Sequence, residues 1–177
     1  MIRTRVGYAG GDHQDPTYSR IGDHAETIQI DYDPAVISYE DLLAMFWSGH
    51  TPISPSSSSQ YASIIHYATG EEKLLAEQSL AAQEKVLGRK VYTEIIPLGV
   101  FTLAEDYHQK YYLQNQRVLM DEFRMIYPDM ADFINSTAAT RANGYVGRNG
   151  TLDSLKAEID QFGLSLKGQE ELLRYFE

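Results

Sequence analysis

The side chains able to do chemistry in this 177-residue chain are 25 carboxylates, 13 tyrosines and 5 histidines, with no cysteine among them. Without a thiol, disulfides, thiolate metal sites and cysteine nucleophiles are all excluded within these residues. His13, His24, His50, His66 and His108 show no ligand spacing of the His-Glu-x-x-His kind, so no metal site is expected. "NGYVGRNG" at 143–150 lacks the Lys-Ser/Thr of a phosphate loop and reads as a turn. "NST" at 135–137 fits a glycosylation sequon, a coincidence in a chain with no visible secretory signal. What is left is acid–base and hydrogen-bond chemistry by carboxyls, imidazoles and phenols.

Net charge is −10 and the pI near 4.9, a field that repels phosphates, so neither nucleic acid nor an anionic membrane surface is expected as a partner. A composition 43% hydrophobic and 23% charged is that of a soluble globular protein. No apolar run approaches the roughly 20 residues that cross a bilayer. The N-terminus lacks a basic segment followed by an apolar one, which makes the cytoplasm the expected location.

The elements that must position this chemistry follow from periodicity. "RTRVGYAGG" at 3–11 reads as a strand running into a turn, with Gly10 and Gly11 supplying positive φ. "AETIQIDYD" at 25–33 alternates Ile28, Ile30 and Tyr32 against polar residues, the period of a half-buried strand. Ser38, with Asp41 three residues on, predicts a capped helix whose apolar face is Tyr39, Leu42, Leu43 and Phe46. "PISPSSSS" is a surface loop, 60–68 a strand, 70–88 a helix stopped by Gly88, and 90–98 another strand. Residues 103–116 predict a helix continuing to Tyr127 before Pro128. Thr151 and Gly163 bracket a further helix, and Leu172, Leu173 and Phe176 mark a last short one. The pattern is α+β, with helices packed on one sheet.

Four fragments then carry a resemblance. "VGYAGG…DPTYSRIGDHAETIQIDYDP" at 6–34, "ISYEDLLAMFWSGHTP" at 37–52, "SQYASIIHY" at 59–67 and "AEDYHQKYYLQ" at 104–114 are similar, in order and spacing, to segments of the methionine sulfoxide reductase A family. The resemblance spans residues 3 to about 114. It implies a ferredoxin-like α/β plait, a mixed sheet packed with helices, lacking here its first strand and helix and carrying a helical C-terminal extension. The domains expected are an incomplete reductase-like domain at 1–127 and a helical extension at 128–177 packed on it.

The same resemblance implies an oxidoreductase that reduces the S-epimer of methionine sulfoxide, free or in oxidised proteins under repair. Such enzymes bind no cofactor and draw electrons from thioredoxin or another thiol reductant. A thiolate attacks the sulfoxide sulfur while the oxygen is protonated and leaves. Glu26 of "HAE" matches the family's general acid, a carboxyl kept protonated at the edge of an apolar pocket. Tyr18 of "PTY" and Tyr61 of "QY" match the two tyrosines that hold the sulfoxide oxygen, phenols suiting a neutral donor's task. His24 and His108 lie in matching motifs and are expected to be structural, hydrogen-bonded residues.

Two departures bear on activity. The family's "GCFWG" segment, which carries the reactive cysteine and an aromatic floor, precedes "GYAGG", and nothing in this chain replaces it. The loop before "QY" is short, "SPSSSS", without the family's supporting aspartate, and Ala62 stands where arginine is frequent. A chain without the nucleophile is expected to be inactive alone. Its early methionine is read as an internal start of a longer active product, the alternative being a pseudoenzyme or a module that binds oxidised methionine or a protein partner.

Overall fold

The computed structural model describes residues 2–176, which fall into two compact units. One comprises Val6–Ile28 and Tyr32–Ala104; the other comprises residues 2–5, 29–31 and 105–176. Strands β1 (Arg3–Ala9) and β2 (Ala25–Asp31) therefore contribute residues to both. Among the described residues no helix is long and apolar enough to cross a membrane.

The first unit holds α1 (Tyr39–Gly49), β3 (Ile64–Tyr67), α2 (Gly70–Leu87), β4 (Glu94–Pro97) and β5 (Thr102–Leu103). Both helices start where the sequence predicts, on complete capping boxes: Ser38 with Asp41, and Thr69 with Glu72. Gly88 closes α2 in the left-handed region at φ 65°, as a C-terminal glycine should. The mixed α+β character holds, but the strands do not form the single sheet expected. Three of them run in the order β2-β1-β5, with β1 antiparallel to β5 through Gly7↔Leu103 and Tyr8↔Thr102. The other two, β3 and β4, pair in parallel from Ile64↔Glu94 to Tyr67↔Pro97. Parallel neighbours need a crossover, and α2 supplies it.

The strand expected at 60–68 begins only at Ile64, because Ser59–Tyr61 closes a 3-10 turn whose first N–H groups are capped by Ser58. A small core of Leu43, Ile65 and Ala76 lies between α1, α2 and β3, covered by Phe46, Trp47 and Ile95. Trp47 fixes its polar edge by donating from Nε1 to Ser79 Oγ at 3.1 Å. His50 ties three elements together. Its Nδ1 lies 2.9 Å from the Phe46 carbonyl and its Nε2 2.7 Å from Ser63 Oγ, which in turn lies 2.8 Å from Thr93 Oγ1.

The long helix expected from 103 to Tyr127, all but its first two residues in the second unit, is broken. Thr102–Leu103 is a strand, Asp106–His108 a 3-10 turn, and two helices follow, α3 (Tyr111–Gln114) and α4 (Arg117–Ile126). The break is at Lys110, whose backbone lies in the left-handed region at φ 48°. There its side chain is buried and Nζ donates to the Thr4 carbonyl and hydroxyl. Tertiary anchoring thus overrides a helical pattern that the local sequence supports.

Four more helices complete this unit: α5 (Met130–Asn135), α6 (Thr137–Val146), α7 (Leu152–Glu158) and α8 (Leu166–Leu173). The expected turn at 143–150 is half wrong, since Asn143–Val146 is the end of α6 and Asn143 Oδ1 accepts the Leu113 N–H at 3.0 Å. The turn proper begins at Gly147 and uses positive φ at Arg148 and Gly150. The core gathers Leu119 and Phe123 of α4, Phe133 of α5, Ala139 of α6, Leu155 of α7 and Leu172 of α8. The boundary expected at 127/128 falls between α4 and α5, inside this unit.

Two buried polar groups generate predictions. The Tyr39 hydroxyl is buried without a hydrogen-bond partner among the described residues, and burial, with Glu72 and Tyr32 adding, pushes its pKa up to about 12. Removing an unpaired buried hydroxyl relieves a desolvation cost, so Tyr39→Phe should raise the urea midpoint by about 1 kcal/mol of stability; a lower midpoint would contradict this. Burial, helped by Arg5, pushes Lys110 down to about 8. Between that value and the unfolded lysine's ~10.4, the unfolded chain binds more protons, so this group makes stability rise with pH across that window. Lys110→Met should abolish the rise, on the order of 3 kcal/mol, when wild-type and variant denaturation curves are compared from pH 7.5 to 10.5.

Candidate functional site

The site lies entirely within the first unit and starts from the end of β1. Gly10 makes the turn with φ 87°, whereas Gly11, expected to share that conformation, is not in the positive-φ region. It is needed for space: a Cβ there would collide with Asp23 Oδ1 and come within 2.7 Å of the His24 amide nitrogen. The backbone of residues 11–13 can therefore lie flush against residues 23–24.

Two side chains fasten that contact. The Asp23 carboxylate accepts the backbone N–H of Asp12 at 3.0 Å and of His13 at 3.0 Å. Those hydrogen bonds, Asp12's first, hold its carboxyl below the ordinary aspartate range. His24, 3% exposed, takes the Gly11 N–H on Nδ1 at 3.2 Å. Its Nε2 must then carry the proton and donate to the His13 carbonyl at 2.9 Å. The residue expected to be a structural histidine is thus held in one neutral tautomer.

Between the fastened segments, Thr17 and Arg20 form an isolated antiparallel bridge, their mutual N–H···O distances 3.0 and 3.3 Å, with Tyr18 in its turn. Glu26 lies two residues beyond His24 on β2, where alternation with buried Ala25 turns it outward. Tyr61 comes from the 3-10 turn. That turn reaches the same place through Ser59 Oγ, 3.3 Å from the Gly22 carbonyl, and through Gln60 Nε2, which donates to Glu26 Oε1 at 2.8 Å.

The three residues singled out in the sequence are therefore together. Tyr18 and Tyr61 share a side-chain hydrogen bond. The Tyr18 hydroxyl beside it, then slight desolvation, then the Glu26 carboxylate push the Tyr61 phenol above its ordinary pKa. One expectation needs correction: Glu26 is exposed rather than set at the edge of an apolar pocket, because it occupies the outward position of β2. Tyr18 is 45% and Tyr61 63% exposed, so the cluster is open to solvent. His108 sits in the other unit, in the 3-10 turn Asp106–His108.

Asp23, Ser59 and Gln60 were not legible as site residues. The only sequence signal was their adjacency to His24, Glu26 and Tyr61, and adjacency does not say which side chain turns to which. Among the described residues no three histidine, aspartate or glutamate side chains gather to hold a metal ion. Two neutral phenol donors and a carboxyl can jointly receive and protonate a polar oxygen on a substrate.

Comparison with known proteins identifies a family for this chain. A peptide methionine sulfoxide reductase family model matches residues 1–141. The chain is 42% identical over 171 residues to a peptide methionine sulfoxide reductase of Drosophila melanogaster, covering 93% of this chain and 67% of that protein. It is 40% identical over 121 residues to the enzyme of that name from Sulfolobus acidocaldarius, covering 63% of this chain and 69% of the relative. Among solved structures, Mxr1 of Saccharomyces cerevisiae in reduced form superposes with TM-score 0.59 at 28% identity, over 64% of this chain and 71% of its own. Methionine sulfoxide reductase A of Corynebacterium diphtheriae gives 0.56 at 29%, over 64% and 63% respectively. With Tyr18, Glu26 and Tyr61 brought together on that fold, the chain belongs to the peptide methionine sulfoxide reductase family, a family of oxidoreductases.

Proposed function

We propose that Tyr18, Tyr61 and Glu26 form the oxygen-binding side of a methionine (S)-sulfoxide site, for the free amino acid or the residue in an oxidised protein. The observation that carries this reading is the convergence of the two phenols and the carboxyl in one cluster. In the free chain one phenol donates to the other; a sulfoxide oxygen between them would replace that bond and accept from both, and the raised pKa of Tyr61 keeps it a donor above neutral pH. Glu26, aimed by Gln60, passes a proton taken up from solvent to the oxygen as the sulfur–oxygen bond breaks. Neutral donors suit the task, because a fixed cation would hold the released oxygen species.

The full reaction consumes two thiols. A thiolate attacks sulfur, the oxygen leaves as water after protonation, and the oxidised sulfur of the nucleophile is resolved by a second thiol, giving methionine, a disulfide and water. A thioredoxin-like protein would be the physiological source of the second equivalent. None of the 177 residues is a cysteine, and serine or tyrosine hydroxyls are not competent nucleophiles toward sulfoxide sulfur. The residues present therefore recognise the sulfoxide but do not turn it over. That absence favours a second reading, a binding module for oxidised methionine.

The purified chain with dithiothreitol and methionine (S)-sulfoxide should give no product above the rate of the reagents alone; clear turnover would overturn the argument from the missing thiol. Calorimetric titration should show binding of the S epimer, and Glu26→Ala should weaken it by roughly tenfold, the size of one lost hydrogen bond to a polar ligand. Equal affinity in the variant would remove Glu26 from the site.

A further inference from the structure

The segment that carries Tyr18 has little structure of its own. Between Gly11 and His24 it offers one isolated bridge, Thr17 to Arg20, and no strand or helix. What fixes the segment is its base, where residues 11–13 and 23–24 are joined by four side-chain hydrogen bonds from backbone to Asp23 and His24. The base also adjoins the second half of the site. Gly22, whose carbonyl accepts from Ser59, precedes Asp23 directly, and Glu26 follows His24 by two residues.

We infer that Asp23 and His24 are positioning residues for the sulfoxide-oxygen site: they set the Tyr18 loop so that its phenol meets Tyr61 and Glu26. The inference rests on the reading of Tyr18, Tyr61 and Glu26 as the oxygen-binding cluster. His24 has the dominant part. It is buried and its two partners are backbone groups, so removing the ring leaves an N–H and a carbonyl unpaired beside the loop. Asp23 is exposed, and water replaces much of what it gives. The clamp needs the neutral imidazole with the proton on Nε2. A proton on Nδ1 would face the Gly11 N–H, donor against donor.

The elevated titration midpoint of Tyr61 reports whether Tyr18 is in place, and it does so without ligand. In protein labelled at tyrosine Cζ, the Tyr61 carbon resonance should titrate above the ordinary phenol range. His24→Phe should bring that midpoint back down and weaken methionine (S)-sulfoxide binding by roughly tenfold. His24→Gln, whose amide supplies one acceptor and one donor, should restore both. Imidazole nitrogen spectra of the wild type should show His24 Nδ1 unprotonated.

An unmoved Tyr61 midpoint in His24→Phe, no rescue by glutamine, or a proton on Nδ1 would each overturn the inference. If circular dichroism shows the phenylalanine variant unfolded, His24→Asn, whose shorter amide cannot span both backbone partners, decides: a lowered Tyr61 midpoint supports the clamp, an unchanged one sinks it. Wild-type protein that fails to bind the sulfoxide would tell against the oxygen-site reading instead, and the Tyr61 comparison would still decide the clamp.

Discussion

The contact between residues 11–13 and 23–24 is the constraint on which the candidate site depends. β1 ends at Ala9 and β2 begins at Ala25, and closing the intervening chain costs conformational entropy that its own few hydrogen bonds do not return. The offset comes from groups of two kinds. An ionised carboxylate accepts two backbone N–H groups, a charge-assisted arrangement weakened by exposure to water. A buried neutral imidazole satisfies one donor and one acceptor that would each cost about 1–3 kcal/mol if left unpaired in the interior. The imidazole therefore governs, and Gly11 is what lets it approach: any side chain there would hold the two backbones apart.

Much of this architecture could be read from the sequence where a local rule and the tertiary structure agree. Ser38 with Asp41 and Thr151 at its helix cap as the sequence says, Gly88 stops α2 with positive φ, and Gly163 does the same for the 3-10 turn Ile159–Phe162 into which the expected helix tightens after Glu158. The alternation of β2 was read in the wrong phase at its start: Ile28, expected on the buried side with Ile30 and Tyr32, is exposed, and Ala25 of the opposite phase is buried. Reading failed where a distant group decides. Nothing local around Lys110 predicts a left-handed backbone; the stretch 103–116 has helical periodicity, yet Leu103 is paired to Gly7 in a strand and Lys110 turns left-handed where its side chain is buried against Thr4. Gly11 looked like the second half of a glycine turn, while its real partner lies twelve and thirteen residues on, in Asp23 and His24. Periodicity likewise finds strands but not their neighbours, so two sheets were mistaken for one.

Site chemistry divides along the same line. Tyr18, Glu26 and Tyr61 were singled out through the resemblance of their motifs to a family, and their exposure was not foreseeable, since it depends on what packs around them. Hydrogen-bond donors and acids act most strongly on a reacting group when water is excluded. With the two phenols roughly half exposed and the carboxyl open to solvent, these residues would compete with water for the oxygen of a ligand in the proposed site. In the proposed site, recognition would rest on three polar groups that distinguish a sulfoxide from a thioether. Catalysis would need the thiolate and a drier surround as well, and neither belongs to the residues described.

The helical unit follows a different logic. The family match ends at residue 141, yet the apolar face of α4, inside that match, is covered by residues beyond it: Leu155, Phe162 and Leu172 join Leu119 and Phe123 in one core. Such side chains are not an ornament on a finished domain, because stripping them would expose Leu119 and Phe123, which are wholly buried here. The polar connections point the same way. Glu122 of α4 accepts the Ser165 N–H at 2.8 Å and its hydroxyl at 2.7 Å, which anchors the start of α8 to α4 directly. On α6, Arg141 pairs with Glu158, which also accepts the Tyr145 hydroxyl at 2.6 Å and so ties α6 to α7. The last helices are thus as much a condition of the packing of α4 as α4 is of theirs, consistent with the 93% of this chain that aligns with the Drosophila relative.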